Sequence, residues 1–243
     1  MIGGITMSGL WEEISEAFEK RYGIKTELVV TGPKGILSTY AQKHPVDSMT
    51  MHSSDTISNL ASKGMIEGLT PWIHNAQMLI SERSNPAQIN GNDTLEIALK
   101  KIVDSNSTFM IHLSGGTFEV FHGLRSRYAF HPRIIMTEKK HGFLGDAVSH
   151  QAYTLFGVIP FLMKKYSHPD LKGYMIDAEA LHRPYLAATG TLDRIGKERY
   201  RSAKLLVQFL VSSEVQTLIR DFRLEGFPQV PVFFPLKMKE VSR

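Results

Sequence analysis

Ser114-Gly115-Gly116-Thr117 joins an apolar run, Phe109-Met110-Ile111, to a helix-patterned segment spanning 118–124. A helix that follows a buried strand through small residues opens with N–H groups that lack intrahelical partners. The glycines let backbone approach a ligand closely, and the Ser114 and Thr117 hydroxyls add donors. Such a turn suits an anion, although Ser, Thr and Gly also serve as plain caps and turn formers. The same grammar recurs at Thr6-Met7-Ser8-Gly9, Thr31-Gly32-Pro33-Lys34-Gly35 and His52-Ser53-Ser54-Asp55, each between an apolar stretch and a helical pattern.

Other chemistries find less support. The chain has 10 histidines, but no H-E-x-x-H or similar ligand spacing, and few carboxylates stand near His52 or His112. No metal and no cofactor is expected. Ser8, Ser114 and Thr117 are possible nucleophiles, yet there is no G-x-S-x-G elbow and no evident His–Asp pairing, so no enzyme activity is expected.

The elements that must position these turns follow from periodicity. Ile5 ends a short strand-like start, and a helix carries Leu10, Trp11, Ile14, Ala17 and Phe18 on one face, with Ser8 as N-cap and Gly23 as stop. Residues 24–30 read as a strand, 36–41 as a helix, 46–51 as a strand and 56–63 as a helix. Strands alternating with helices predict an α/β chain with a parallel, doubly wound sheet, whose ligands gather beyond the strands' carboxyl ends. Met78–Ser81 reads as a strand leaving this unit, and 84–93 as a loop. Leu95, Ala98, Leu99 and Ile102 form one helical face. Further strands are expected at 134–136, 152–156, 174–176 and 185–188. Helices are expected at 146–150, after a Gly-rich entry at 139–145, and at 157–165, and one long helix at 197–222.

At 243 residues, with 42% hydrophobic and 21% charged residues, the chain can bury a sizeable core in one or two domains. A formal charge of +4 favours an anionic ligand over a cationic one. No basic helix or RNA-type aromatic signature accompanies it, so nucleic acid is not an expected partner. No apolar run reaches the ~20 residues a membrane span needs, so no membrane insertion is expected. There are no cysteines, which removes disulfides and thiol chemistry. The first residues show neither a basic n-region nor a long apolar h-region, which fits either a cytosolic protein or one whose leader is not part of this sequence.

Several segments together resemble the tungstate-binding proteins of ABC transporters, the TupA-like branch of type 2 periplasmic solute-binding proteins. They are Ser8-Gly9-Leu10, the run from Phe18 to Lys25, Val46-Asp47 ahead of His52, Phe109 to Thr117, Ala152-Tyr153-Thr154-Leu155 and Arg183-Pro184-Tyr185, in the same order along almost the whole chain. The resemblance implies a two-lobed type 2 periplasmic-binding-protein fold with two interlobe crossovers. Residues 1–80 and 186–243 would form lobe 1, and 81–185 lobe 2. It also implies a monomer that holds a small oxyanion of the tungstate and molybdate class in the cleft, outside the cytoplasm, beside a membrane transporter.

The candidate ligand residues offered by these turns and matched segments are Gly3, Gly4, Thr6, Ser8, Thr31, His52, Ser53, Ser54, His112, Ser114, Gly116 and Thr117, with Tyr153 at a strand end facing either cleft or core. The chain departs from the family at three places. Ile2-Gly3-Gly4-Ile5 stand where the family has a Thr/Ser-rich run, His112 where it has an arginine, and Phe156-Gly157-Val158 where it has Asp-Arg. Hydrogen bonds to a charged acceptor contribute roughly 1.5–3 kcal/mol each. Four or five therefore reach the ~8 kcal/mol of micromolar binding. A protonated His112 would restore one positive charge, so affinity would rise as pH falls through histidine's ordinary range near ~6.5. The departures also fit the alternative that the scaffold is retuned or lapsed, taking another small ligand or acting as a sensor or interaction domain.

Overall fold

The computed structural model describes residues 1, 3–113, 116–139, 142–164 and 169–236. Two compact units divide the chain: Met1–Asn75 with Arg183–Arg243, and Ala76–His182. The divisions fall a few residues before the expected boundaries at 80/81 and 185/186.

The first unit opens with α1 (Gly3–Met7) and α2 (Leu10–Tyr22). Leu10, Trp11, Ile14 and Phe18 are buried on α2, and Phe18 meets Phe209 with ring centroids 5.5 Å apart. Gly23 stops α2 in the left-handed conformation (φ 67°), which costs a glycine nothing. Next come α3 (Lys34–Lys43), β1 (Ser48–His52), α4 (Asp55–Ser62) and the long β2 (Ile66–Glu82), whose first part belongs to this unit. The chain returns through β7 (His182–Gly190), then α9 (Leu192–Ile195), α10 (Lys197–Leu210), α11 (Ser213–Asp221) and β8 (Phe233–Pro235). The sheet runs β1-β7-β2, with β8 also on β2. β1 and β7 are antiparallel, His52 opposite Tyr185 and Ser48 opposite Thr189. At Gly190 an added Cβ would stand 2.2 Å from the Val46 carbonyl oxygen, so the chain entering β1 and the end of β7 meet only because that residue has no side chain. Gln216, buried in α11, donates to the Trp72 and Leu210 carbonyls and accepts from the Leu236 amide, which ties the last described segment down.

The second unit holds the rest of β2, α5 (Leu95–Asp104), β3 (Thr108–His112), α6 (Gly116–Tyr128), β4 (Arg133–Thr137), α7 (Phe143–Ser149), β5 (Tyr153–Gly157), α8 (Val158–Lys164) and β6 (Leu171–Tyr174). Its sheet runs β6-β2-β5-β3-β4. β3 is parallel to both β4 and β5, while β2 is antiparallel to β5 and β6. Leu95, Ala98, Leu99 and Ile102 bury one face of α5 against Phe109, Phe121 and Phe130. Thr94 caps this helix by accepting from the Ile97 amide at 3.3 Å.

Several expectations give way. Gly3–Met7 is helical, so no strand precedes the first turn, and Gly9 (φ 87°) rather than Ser8 caps α2. Ser8 donates its hydroxyl to the Ile5 carbonyl and accepts from the Leu10 amide at 3.4 Å. Residues 24–30 belong to no strand. β2 is far longer than Met78–Ser81, because Gly68 and Pro71 hide its first half in the sequence. The expected helix at 197–222 is two helices, broken where the Ser212 hydroxyl accepts from the Val215 amide. The sheets are mixed rather than wholly parallel.

Candidate functional site

The most chemically loaded cluster of the first unit lies at the carboxyl end of β1. His52 is 8% exposed and stacks on Tyr185, centroids 3.9 Å apart. Its Nε2 lies 3.2 Å from Asn75 Oδ1, an acceptor only, which makes Nε2 the protonated nitrogen. Asn75 passes the chain on, donating from Nδ2 to the Tyr185 hydroxyl at 3.4 Å. Arg183 lies two residues before Tyr185 on β7, hence on the same sheet face. Its guanidinium is buried at 8% exposure. Burial, then the Arg183 charge, then the Lys34 charge push the His52 pKa down to about 3 against a smaller upward pull from Asn75. The imidazole is therefore neutral at ordinary pH. The permanent positive charge here belongs to Arg183 and to Lys34 at the start of α3.

The neighbouring turn groups are partly committed. The Ser53 amide donates to the Pro184 carbonyl at 2.9 Å, and Ser54 donates its hydroxyl to the His52 carbonyl while standing at the N-cap of α4. The Thr6 and Thr31 hydroxyls bond each other at 3.0 Å, so these two residues, distant in sequence, meet. Gly3 and Gly4 lie inside the five-residue α1 rather than in a strand-ending turn.

In the second unit His112 ends β3 beside Thr137 of β4, its ring edge-on to Phe143 at 5.8 Å. The next residue, Leu113, donates its amide to the Thr137 carbonyl. Gly116 and Thr117 are the first two residues of α6, while Ser114 lies outside the described residues. Tyr153 leaves the candidate set. It starts β5 opposite Phe109, three residues from the strand end that His112 marks on the parallel neighbour. It is fully buried, and its hydroxyl donates to Asn85 Oδ1 at 2.8 Å and accepts from the Ala87 amide at 2.9 Å. Burial raises its pKa to about 12. This tyrosine staples the 84–93 loop to the sheet.

Arg183, Asn75 and Lys34 escaped the sequence reading as site residues. Arg183 sat within the matched Arg-Pro-Tyr run, which was the available signal. Asn75 had none, since only the path of β2 brings it under His52. Among the described residues no group of three or more His, Asp or Glu is placed to hold a metal ion, and no helix is long and apolar enough to cross a membrane.

Comparison with solved structures places the fold. The tungstate binding protein TupA from Desulfovibrio alaskensis G20 superposes with a TM-score of 0.76 at 20% identity, covering 96% of each chain. The tungstate ABC transporter protein from Geobacter sulfurreducens gives 0.70 at 21% identity, over 91% of this chain and 96% of that one. The substrate binding domain of a putative molybdenum ABC transporter from Clostridium difficile gives 0.60 at 14%, over 97% and 96%. The architecture is thus the two-lobed type 2 periplasmic-binding-protein fold. No curated protein matches the sequence. The sequence pattern described as "Bacterial extracellular solute-binding protein" matches residues 1–151, well over half of the 243-residue chain. This chain belongs to that family of bacterial extracellular solute-binding proteins.

Proposed function

We propose that the protein binds a small anion, a tetrahedral oxyanion of the tungstate and molybdate class, and delivers it to an ABC transporter outside the cytoplasm without performing catalysis. The observation that carries this reading is the positive character at the carboxyl end of β1, where Arg183 and Lys34 act on a neutral His52. A buried guanidinium supplies a charge that neither pH nor salt removes easily, with a planar set of donors suited to oxyanions. The β1–α4 turn adds the positive end of an eight-residue helix. In the second unit, His112, Thr117 and the start of α6 form a further group of donors, and His112 stands where the resembling family has its arginine.

A thermal-shift screen with tungstate, molybdate, sulfate, phosphate and small carboxylates tests the reading. A ligand at a hundred times its Kd stabilises by about 2.7 kcal/mol. The expected pattern is a shift with tungstate or molybdate that Lys34→Gln diminishes and Arg183→Met abolishes. His112→Ala should weaken binding by removing one of the second unit's donors. A screen in which no oxyanion moves Tm, while another small ligand does, would favour a retuned pocket. The helical start at Gly3–Met7, in place of a hydroxyl-rich turn, is the feature on the side of that second reading.

A further inference from the structure

Six asparagines occur in the chain, at positions 59, 75, 85, 90, 92 and 106. An asparagine side chain can close on the main-chain nitrogen that follows it, provided that nitrogen is free and the chain there can bend. Five of the six fail this condition. Asn59 and the next residue, Leu60, lie inside α4, where the helix occupies the amide. Asn75 is bonded to His52 and Tyr185, and its neighbour Ala76 is buried within β2. Asn85 is followed by Pro86, which has no N–H. After Asn92, the Asp93 amide donates to the Asn90 carbonyl at 3.2 Å, and after Asn106 the Ser107 amide donates to the Ile102 carbonyl at 3.0 Å. The amide after Asn90 is that of Gly91, which makes no hydrogen bond among the described residues.

The turn also prepares the carboxamide. Asn90 and Gly91 are both exposed. A Cβ at Gly91 would meet nothing within 4 Å, so a ring has room to form there, and glycine offers the backbone freedom to form it. Asn90 Oδ1 accepts from the Asn92 amide at 2.9 Å, which fixes the carboxamide orientation and draws electron density away from Cγ. On the other side of the Asn90 Cα, the Asn90 amide donates to Asp93 Oδ2 at 2.9 Å, and Lys101 Nζ holds the same oxygen at 2.7 Å. The electrophile is thus held while the nucleophile is free to swing.

We propose that Asn90-Gly91, in the loop ahead of α5, is a site of spontaneous deamidation and isoaspartate formation. The Gly91 nitrogen gives up its proton to solvent and bonds to Asn90 Cγ. The Cγ–Nδ2 bond breaks, and the nitrogen leaves as ammonia. Water then opens the resulting succinimide. Cleavage of the bond from Cγ to the Gly91 nitrogen gives aspartate, and cleavage of the bond from the main-chain carbonyl carbon gives isoaspartate, with the chain now running through Cγ. No oxidation or reduction is involved: an amide and water become a carboxylate and ammonium. Each event lowers the net charge by one. The isoaspartyl form also lengthens the main chain by a methylene, which disrupts the bonds from the Asn92 and Asp93 amides, and its new carboxylate competes with Asp93 for Lys101.

Ageing the 243-residue protein at mildly alkaline pH and physiological temperature tests this, with fragmentation mass spectrometry of the peptide released by cleavage after Arg83 and Lys100. Asn90 should be the first of the six to convert, to a mixture of aspartate and isoaspartate, with a stepwise acidic shift on isoelectric focusing. Gly91→Ala should lose the conversion over the same interval; Gly91 is not held at a positive φ, so alanine fits. Should that variant fail to fold, Asn90→Gln, whose longer side chain closes a ring far less readily, replaces it. In urea the lead of Asn90 over Asn106 should shrink, because the bond that protects Ser107 is gone. Conversion of Asn92 or Asn106 ahead of Asn90 in the folded protein would overturn the proposal, as would an Asn90 that converts only in urea. Hydrogen exchange at the Asn92 and Asp93 amides should be faster in the isoaspartyl fraction than in Asn90→Asp protein, and equal rates would overturn the stated effect on the turn.

Discussion

At the scale of single residues the clearest consequence concerns His52. Burial holds its folded pKa at about 3 against an ordinary 6.5, so the unfolded chain takes up the proton first as pH falls. The stability this group contributes is complete above about 6.5 and is lost as pH drops toward 3. Lowered carboxylate pKa values, as at Asp93 and Asp221, act in the same direction. The informative comparison is therefore with His52→Gln, which removes the titrating group. Urea unfolding at pH 7.5 and 4.5 should show wild type losing on the order of 1–3 kcal/mol more than the variant across that interval. Equal losses would mean that His52 is not held neutral. None of this was legible in the sequence, where His52 read as a turn residue and a candidate anion donor. Its neutrality rests first on burial and then on Arg183, which is 131 positions away in the chain and is brought beside it by the pairing of β1 with β7.

Secondary-structure elements were legible where local pattern and tertiary environment agree. The apolar face of α5, the run that became β3 and the Gly stop of α2 could be read directly, because each follows from periodicity or backbone freedom within a few residues. Residues 24–30 have strand composition without a strand, since a ladder needs a partner that composition does not reveal. The break between α10 and α11 was hidden by an apolar stripe that continues across it. Two substitutions rank the forces involved. Thr94→Ala deletes the α5 cap at an exposed position and should lower stability by about 1 kcal/mol. Gly190→Ala drives a methyl group into a backbone carbonyl, which cannot rotate away as a side chain does, and should cost roughly 1–3 kcal/mol. Urea midpoints at constant m-value would check the order, and a Gly190→Ala loss no larger than that of Thr94→Ala would show that the β7–β1 approach is relaxed.

For the whole molecule, a formal charge of +4 and a buried guanidinium act at different ranges. Exposed charges are screened beyond about 10 Å at 0.1 M salt and about 3 Å at 1 M, whereas a buried cation is screened much less. Oxyanion affinity should therefore fall only a few-fold between 50 and 500 mM sodium chloride, and Lys34→Gln should reduce that dependence while Arg183→Met removes binding altogether. Calorimetric titration at both salt concentrations measures it, and an affinity that collapses with salt would point to a diffuse surface field. The two-unit organisation and the fold class were carried by the order of matched segments along the chain, not by any one motif. One further consequence follows from where the aromatic residues fall. The chain has two tryptophans, Trp11 and Trp72, and both lie in the first unit. Trp72 is fully buried and donates its indole N–H to Thr50, while Trp11 forms part of the wall of a cavity in the same unit. Intrinsic emission excited at the red edge is thus a private channel for that unit, with Ala76–His182 optically silent, and a Trp72→Phe protein would turn the remaining indole into a built-in lamp at the cavity that Trp11 lines.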